Sequence, residues 1–162
     1  MKTRLFKVFL LASVFYIGLF SGNSRGAGEI GSFAGGFVIG SPSGFSFKKW
    51  LGRHKALDGT LSFLMKDKER FYANINLVIH DHDFLLINAA DTPVYYGGGI
   101  VFRIVEDDGV SKAALGLRGV GGVEYLFPYK PIGVFFDLGP VIQLAPEMRL
   151  ILTGGVGLRY YF

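Results

Sequence analysis

The chain has 162 residues, half of them apolar, with 24 glycines and no cysteine. One domain fits that length, and the lack of cysteine excludes a disulfide framework, a thiol nucleophile or a lipidated cysteine. The formal net charge of +4 sits in the first 26 residues, so it gives no support to nucleic-acid binding.

Those residues predict a secretory signal peptide. Lys2, Arg4 and Lys7 form a basic start, and 8–20 is almost wholly apolar. That stretch is shorter than the roughly 20 residues a spanning helix needs. Cleavage is expected near Gly26/Ala27, after Ser24-Arg25-Gly26. Lys2, Arg4, Lys7 and Arg25 leave with the signal, and 13 basic residues then balance 13 acidic ones.

Residues 27–162 show no linker, repeat or long charge run, and form one domain. Helical periodicity is weak; the period that fits is two. Eight strands are predicted. In 32–39, Phe33, Phe37 and Ile39 share a face. In 44–51, Phe45, Phe47 and Leu51 oppose Ser46 and Lys48. In 56–64, Leu57, Leu61 and Phe63 oppose Asp58, Thr60 and Ser62. In 71–80, Phe71, Ala73, Ile75, Leu77 and Ile79 oppose Tyr72, Asn74, Asn76 and His80. In 94–104, Tyr96, Ile100, Phe102 and Ile104 oppose Tyr95 and Arg103. In 115–127, Leu115, Leu117, Val123, Tyr125 and Phe127 oppose Arg118 and Glu124. In 132–143, Ile132, Val134, Phe136, Leu138, Pro140 and Ile142 oppose Asp137 and Gln143. In 150–162, Leu150, Leu152, Gly154, Val156, Leu158, Tyr160 and Phe162 oppose Ile151, Thr153, Gly155, Gly157, Arg159 and Tyr161. Turn-like segments separate them.

A soluble barrel would carry many charges on its wet faces. Here the polar faces hold mainly Gly, Ser, Thr and Asn, with one or two charges each. The inward candidates are Lys48, Asp58, Arg103, Arg118, Glu124, Asp137 and Arg159, nearly balanced in sign. That arrangement suits lipid outside and a paired polar filling inside. The expected fold is therefore all-β: an eight-stranded antiparallel up-and-down transmembrane barrel. Glycine within strands, such as Gly97-Gly98-Gly99, relieves crowding in a tightly curved sheet. Pro140 lacks a ladder donor and is expected near the rim or at a bulge. The connection 81–93 is either a long turn or an extension of strand four. Trp50, Tyr72, Tyr125, Tyr160 and Phe162 lie near strand ends and suit aromatic girdles.

The ending Gly157 to Phe162 resembles the terminal strand of bacterial outer-membrane barrels, which the barrel-insertion machinery reads. Val156, Leu158, Tyr160 and Phe162 would form that signal. Further stretches match one family of small bacterial barrels of unestablished function, first noted in spirochaetes. They include Gly40-Ser41-Pro42-Ser43-Gly44-Phe45-Ser46 with Lys48 and Trp50, and Ala56-Leu57-Asp58-Gly59. Others are Tyr95-Tyr96-Gly97-Gly98-Gly99, Leu117-Arg118-Gly119, Gly122-Val123-Glu124-Tyr125 and Leu138-Gly139-Pro140-Val141. The resemblance implies an architecture similar to the small OmpA and OmpX types, in the outer membrane, with no established catalytic residues. The short external turns at 41–44, 66–70, 105–112 and 144–149 weigh against adhesion.

Two constellations could carry chemistry. His80 and His82 point the same way on a strand and could begin a metal site, whose third ligand would have to come from a neighbouring strand. Ser46, Ser62, His80 and Glu124 could serve a lipid A-modifying hydrolase, yet none sits in a recognisable motif. The expectation is a non-enzymatic barrel without cofactor or metal, monomeric, surrounded by outer-membrane lipid. Its role is structural or partner-binding, with a narrow porin-like pore as the alternative.

Overall fold

The computed structural model describes residues 32–63, 69–82, 86–87, 90–107 and 109–162. The expected signal peptide, 1–26, lies outside them. Ten strands follow in chain order: β1 (Phe33–Ser41), β2 (Gly44–Trp50), β3 (Lys55–Ser62), β4 (Glu69–Asp81), β5 (Leu86–Ile87), β6 (Ala90–Asp91), β7 (Val94–Asp107), β8 (Val110–Leu126), β9 (Ile132–Ala145) and β10 (Arg149–Tyr161). The long strands form an antiparallel meander in which each pairs with the next. β10 returns to β1, and β8 pairs with β9, so eight long strands close a barrel. The described residues contain no helix.

Alternation of side chains decides what this barrel buries. In β10, Thr153, Gly157, Arg159 and Tyr161 are buried, while Leu152, Val156, Leu158 and Tyr160 are exposed. Phe37, Phe45, Ile100, Phe136, Leu138 and Ile142 are likewise exposed. The large apolar side chains therefore face out and the charges face in, the reverse of a soluble barrel.

The filling is more mixed than its polar parity suggests. Val38, Val78, Val101, Val120, Val141 and Phe135 are buried inside with the charges. A lumen this narrow must be packed by side chains, and valine fills space beside large residues without needing a partner. Glycine provides seats for the largest rings. A Cβ on Gly157 would lie 2.4 Å from Phe135 Cζ, and one on Gly122 would lie 2.5 Å from Tyr95 Cζ. Gly97, Gly98 and Gly99 lie within β7, paired to β4 and β8.

Three expectations are corrected. Trp50 and Tyr72 do not belong to an outer girdle. Tyr72 is buried inside, and the Trp50 ring packs at a tilt against buried His80, with ring centres 4.4 Å apart. Each shares parity with an inward neighbour, Lys48 and Asn74 respectively, and parity outweighs position at a strand end. Tyr125, Tyr160 and Phe162 do lie outside, in ring pairs Tyr125–Phe127 and Tyr160–Phe162 at 4.9 and 5.0 Å. Pro140, thirdly, sits within β9 at neither a rim nor a bulge. It pairs with Leu152 of β10, while the β8–β9 ladder skips from Arg118↔Val141 to Gly121↔Leu138 without changing register. The missing donor is thus absorbed as a gap in the ladder, beside Gly119 and Gly139.

Strand four ends at Asp81. Beyond it, β5 and β6 pair with each other, and Asp91 of β6 lies opposite Leu126 of β8.

Candidate functional site

The seven charges expected inside all project into the lumen, but they form separate groups. The largest joins four strands. Lys48 on β2 reaches across the lumen to Glu124 on β8, and both side chains are fully buried. Arg159 on β10 pairs with Asp58 on β3 and lies 3.6 Å from Glu124. Two cations and two carboxylates therefore compensate one another. Breaking such a set exposes the remaining charge to an environment where it is poorly solvated.

Neutral groups complete this cluster. Tyr161 donates to Glu124, and Arg159 Nε donates to Ser46 Oγ at 2.9 Å. His80 Nε2 lies 2.7 Å from Lys48 Nζ. Because the ammonium can only donate, that ring nitrogen accepts, which places the imidazole proton on Nδ1. Aromatic faces add to the cationic seat. Lys48 Nζ is 4.5 Å from the Trp50 ring centre and 5.2 Å from that of Tyr95. Arg159 lies 3.7 Å over Phe135. Both are within cation–π range.

A second group lies on neighbouring strands. Arg118 Nη2 donates to Asp137 at 2.9 Å, and Arg118 Nε donates to Thr153 at 3.0 Å. Thr153 in turn donates to the Gly139 carbonyl at 2.9 Å. Arg103 stands apart, half-buried near one mouth, and donates to Gln143 at 3.0 Å. Gln143 then donates to the Glu147 carbonyl. A cavity of about 40 Å³ lies beside Arg103. That space holds only a few waters.

Sequence parity identified the inward charges, but it did not single out Tyr161, Phe135 or Trp50 as their partners. Tyr161 and Phe135 share inward parity with Arg159 and Asp137. Their partnership depends on which strands face each other across the closed wall, a fact that no local spacing contains.

The other two constellations do not assemble. No group of three or more potential metal-ligating His, Cys, Asp or Glu side chains occurs among the described residues. The His80 and His82 ring centres lie 6.3 Å apart. Ser46 is hydrogen-bonded by Arg159, and Ser62 donates to the Ser43 carbonyl, so neither serine is hydrogen-bonded to His80.

The proposed insertion signal lies at the seam. Val156, Leu158, Tyr160 and Phe162 all present their side chains outward. Phe162 N donates to the Phe33 carbonyl at 2.8 Å, and the two rings stack at 6.3 Å. The terminus is therefore stitched to the first strand.

The N-terminal β-barrel domain of Pseudomonas aeruginosa OprF, known from a crystal structure, shares this architecture. The superposition has a TM-score of 0.60 at 13% sequence identity, covering 83% of this chain and 100% of that one. At such low identity the likeness is one of fold. No protein-family model and no curated protein matches the chain.

Proposed function

We propose that the chain is an exported outer-membrane β-barrel of the small spirochaete-type family it resembles. It would be non-enzymatic, with a structural or partner-binding role in the envelope and a lumen closed by side chains. Inverted polarity carries this reading. An apolar exterior needs lipid around it, and the paired interior charges need a partner rather than bulk water. The barrel fold shared with the OprF domain agrees with this reading. Under this reading both chain ends face the periplasm, and the insertion machinery recognises the Val156, Leu158, Tyr160 and Phe162 face.

Detergent extraction followed by comparison of boiled and unboiled samples on a gel tests the proposal. A heat-dependent shift in mobility, with the protein in the membrane fraction, is expected. Identical mobility with recovery in the soluble fraction would refute it.

The mouth cavity beside Arg103 is the observation that favours a narrow pore. Planar-bilayer recording separates the two readings. The plugged barrel gives no sustained discrete steps, whereas steps altered by Arg118→Ala would establish the pore.

A further inference from the structure

The apolar exterior is not equally tall all round. On β9 the outward row runs from Ile132 to Leu144 and is apolar throughout. At about 3.3 Å per residue and a tilt of roughly 40°, that row spans about 30 Å of height, which matches a full hydrocarbon core. On β2 the outward row is Phe45 and Phe47 alone, with Lys49 at one end and Ser43 just past the other. The same arithmetic gives about 15 Å from Ser43 to Lys49. β1 behaves likewise, because its outward row passes Phe37 and Ile39 and stops on exposed Ser41. β8, which faces β2 across the lumen, carries a long uncharged row from Leu115 to Tyr125. Tilting the whole barrel cannot equalise opposite walls of different height.

The backbone carries the same step. β1 ends at Ser41 opposite Gly154, but β10 begins at Arg149. Among the described residues, 149–153 pair with β9 and have no ladder partner on the β1 side. Leu150 and Leu152 of this segment are 76% and 64% exposed. Open backbone groups are not tolerated facing hydrocarbon, so this edge needs water or headgroup oxygens beside it.

We propose that the bilayer thins against β1 and β2, and that this face selects phospholipids with short acyl chains. The headgroups at that end sit at the level of Ser41 and Ser43 rather than at Leu150. Their water reaches the open edge of β10. Lys49 marks the other end, with its stem along the wall and its ammonium among the phosphates. A short chain fills the reduced height without the deformation that a long one requires. This inference rests on the membrane reading above and names the lipid that one face of the barrel prefers.

The test places single cysteines at Phe45 on β2 and Phe136 on β9, which are outward and 50% and 48% exposed. Each carries a small fluorophore in protein refolded into vesicles of dilauroyl and dioleoyl phosphatidylcholine in equal amounts. An acyl-chain nitroxide is placed first on one lipid and then on the other. Every variant is first checked for the heat-dependent mobility shift. Quenching at neither site by either lipid would reject the membrane reading itself. With lipid quenching present, the ratio of short-chain to long-chain quenching should be about twofold or more higher at Phe45 than at Phe136. Ser41→Leu together with Lys49→Leu lengthens the low rows and should bring the two ratios together while the shift persists. Equal ratios at the two sites without the leucine substitutions would overturn the proposal. So would a ratio at Phe45 that those substitutions leave unchanged.

Discussion

Lys48 and Glu124 meet across the full width of the barrel, from β2 to β8, and neither side chain is exposed. The contact ties opposite walls together and helps to fill the lumen. Glu124 also accepts from Tyr161 and lies near Arg159. Its loss would leave Lys48 without its carboxylate and Arg159 with Asp58 alone. Glu124→Ala should therefore destabilise the barrel by about 3–5 kcal/mol, since an unpaired buried charge is left behind. Urea unfolding in lipid vesicles measures the change. The double variant Lys48→Met/Glu124→Leu should recover part of that loss, because it removes both charges and refills their volume. A double variant worse than the sum of its singles would contradict this role for the pair.

Gly157 gives a steric test. Its missing side chain makes room for Phe135, on which Arg159 rests. Gly157→Val should cost about 1–3 kcal/mol by overpacking, or more because backbone also lies close. Gly35 offers a control, because a Cβ there would meet only Phe162 at 3.8 Å. Gly35→Ala should leave the unfolding midpoint nearly unchanged. Equal effects at both sites would remove the special role of Gly157.

The terminal aromatic should matter more for delivery than for stability. Phe162 is 45% exposed, and its backbone bond to Phe33 does not use the side chain. Phe162→Ala should lower the heat-modifiable pool in cells while shifting the unfolding free energy of refolded protein by only about 1 kcal/mol, the order expected for one half-exposed ring. Normal cellular assembly of this variant would sink the insertion-signal proposal.

The strands were legible because one residue in two obeys a single rule. Most large apolar residues face out, and Gly, polar or charged residues face in beside a few valines and Phe135, so even the ends came within a few residues for most strands. Parity also placed Tyr95, Arg103 and Arg159 inside. The same parity applied to Trp50 and Tyr72, but their nearness to strand ends suggested a girdle. The structure shows that alternation wins over depth at those two positions. Pairings were not legible. Lys48 and Glu124 are 76 residues apart, and Arg159 and Asp58 are 101 apart. Only the closed order of the walls brings them together. Pro140 was hard to place for a related reason: its cost depends on which neighbour its nitrogen faces, and the gap toward β8 absorbs it.

The inverted polarity of the wall can be tested directly, since the chain has no cysteine to interfere with labelling. Single cysteines at Leu152, Thr153, Val156 and Leu158 would be tagged with a small fluorophore in protein refolded into vesicles. Quenching by lipids carrying a nitroxide on the acyl chain would then be measured. The expected result is strong quenching at Leu152, Val156 and Leu158, with little at Thr153. Quenching of those three positions by an aqueous quencher instead, with none from lipid, would contradict a membrane-spanning barrel.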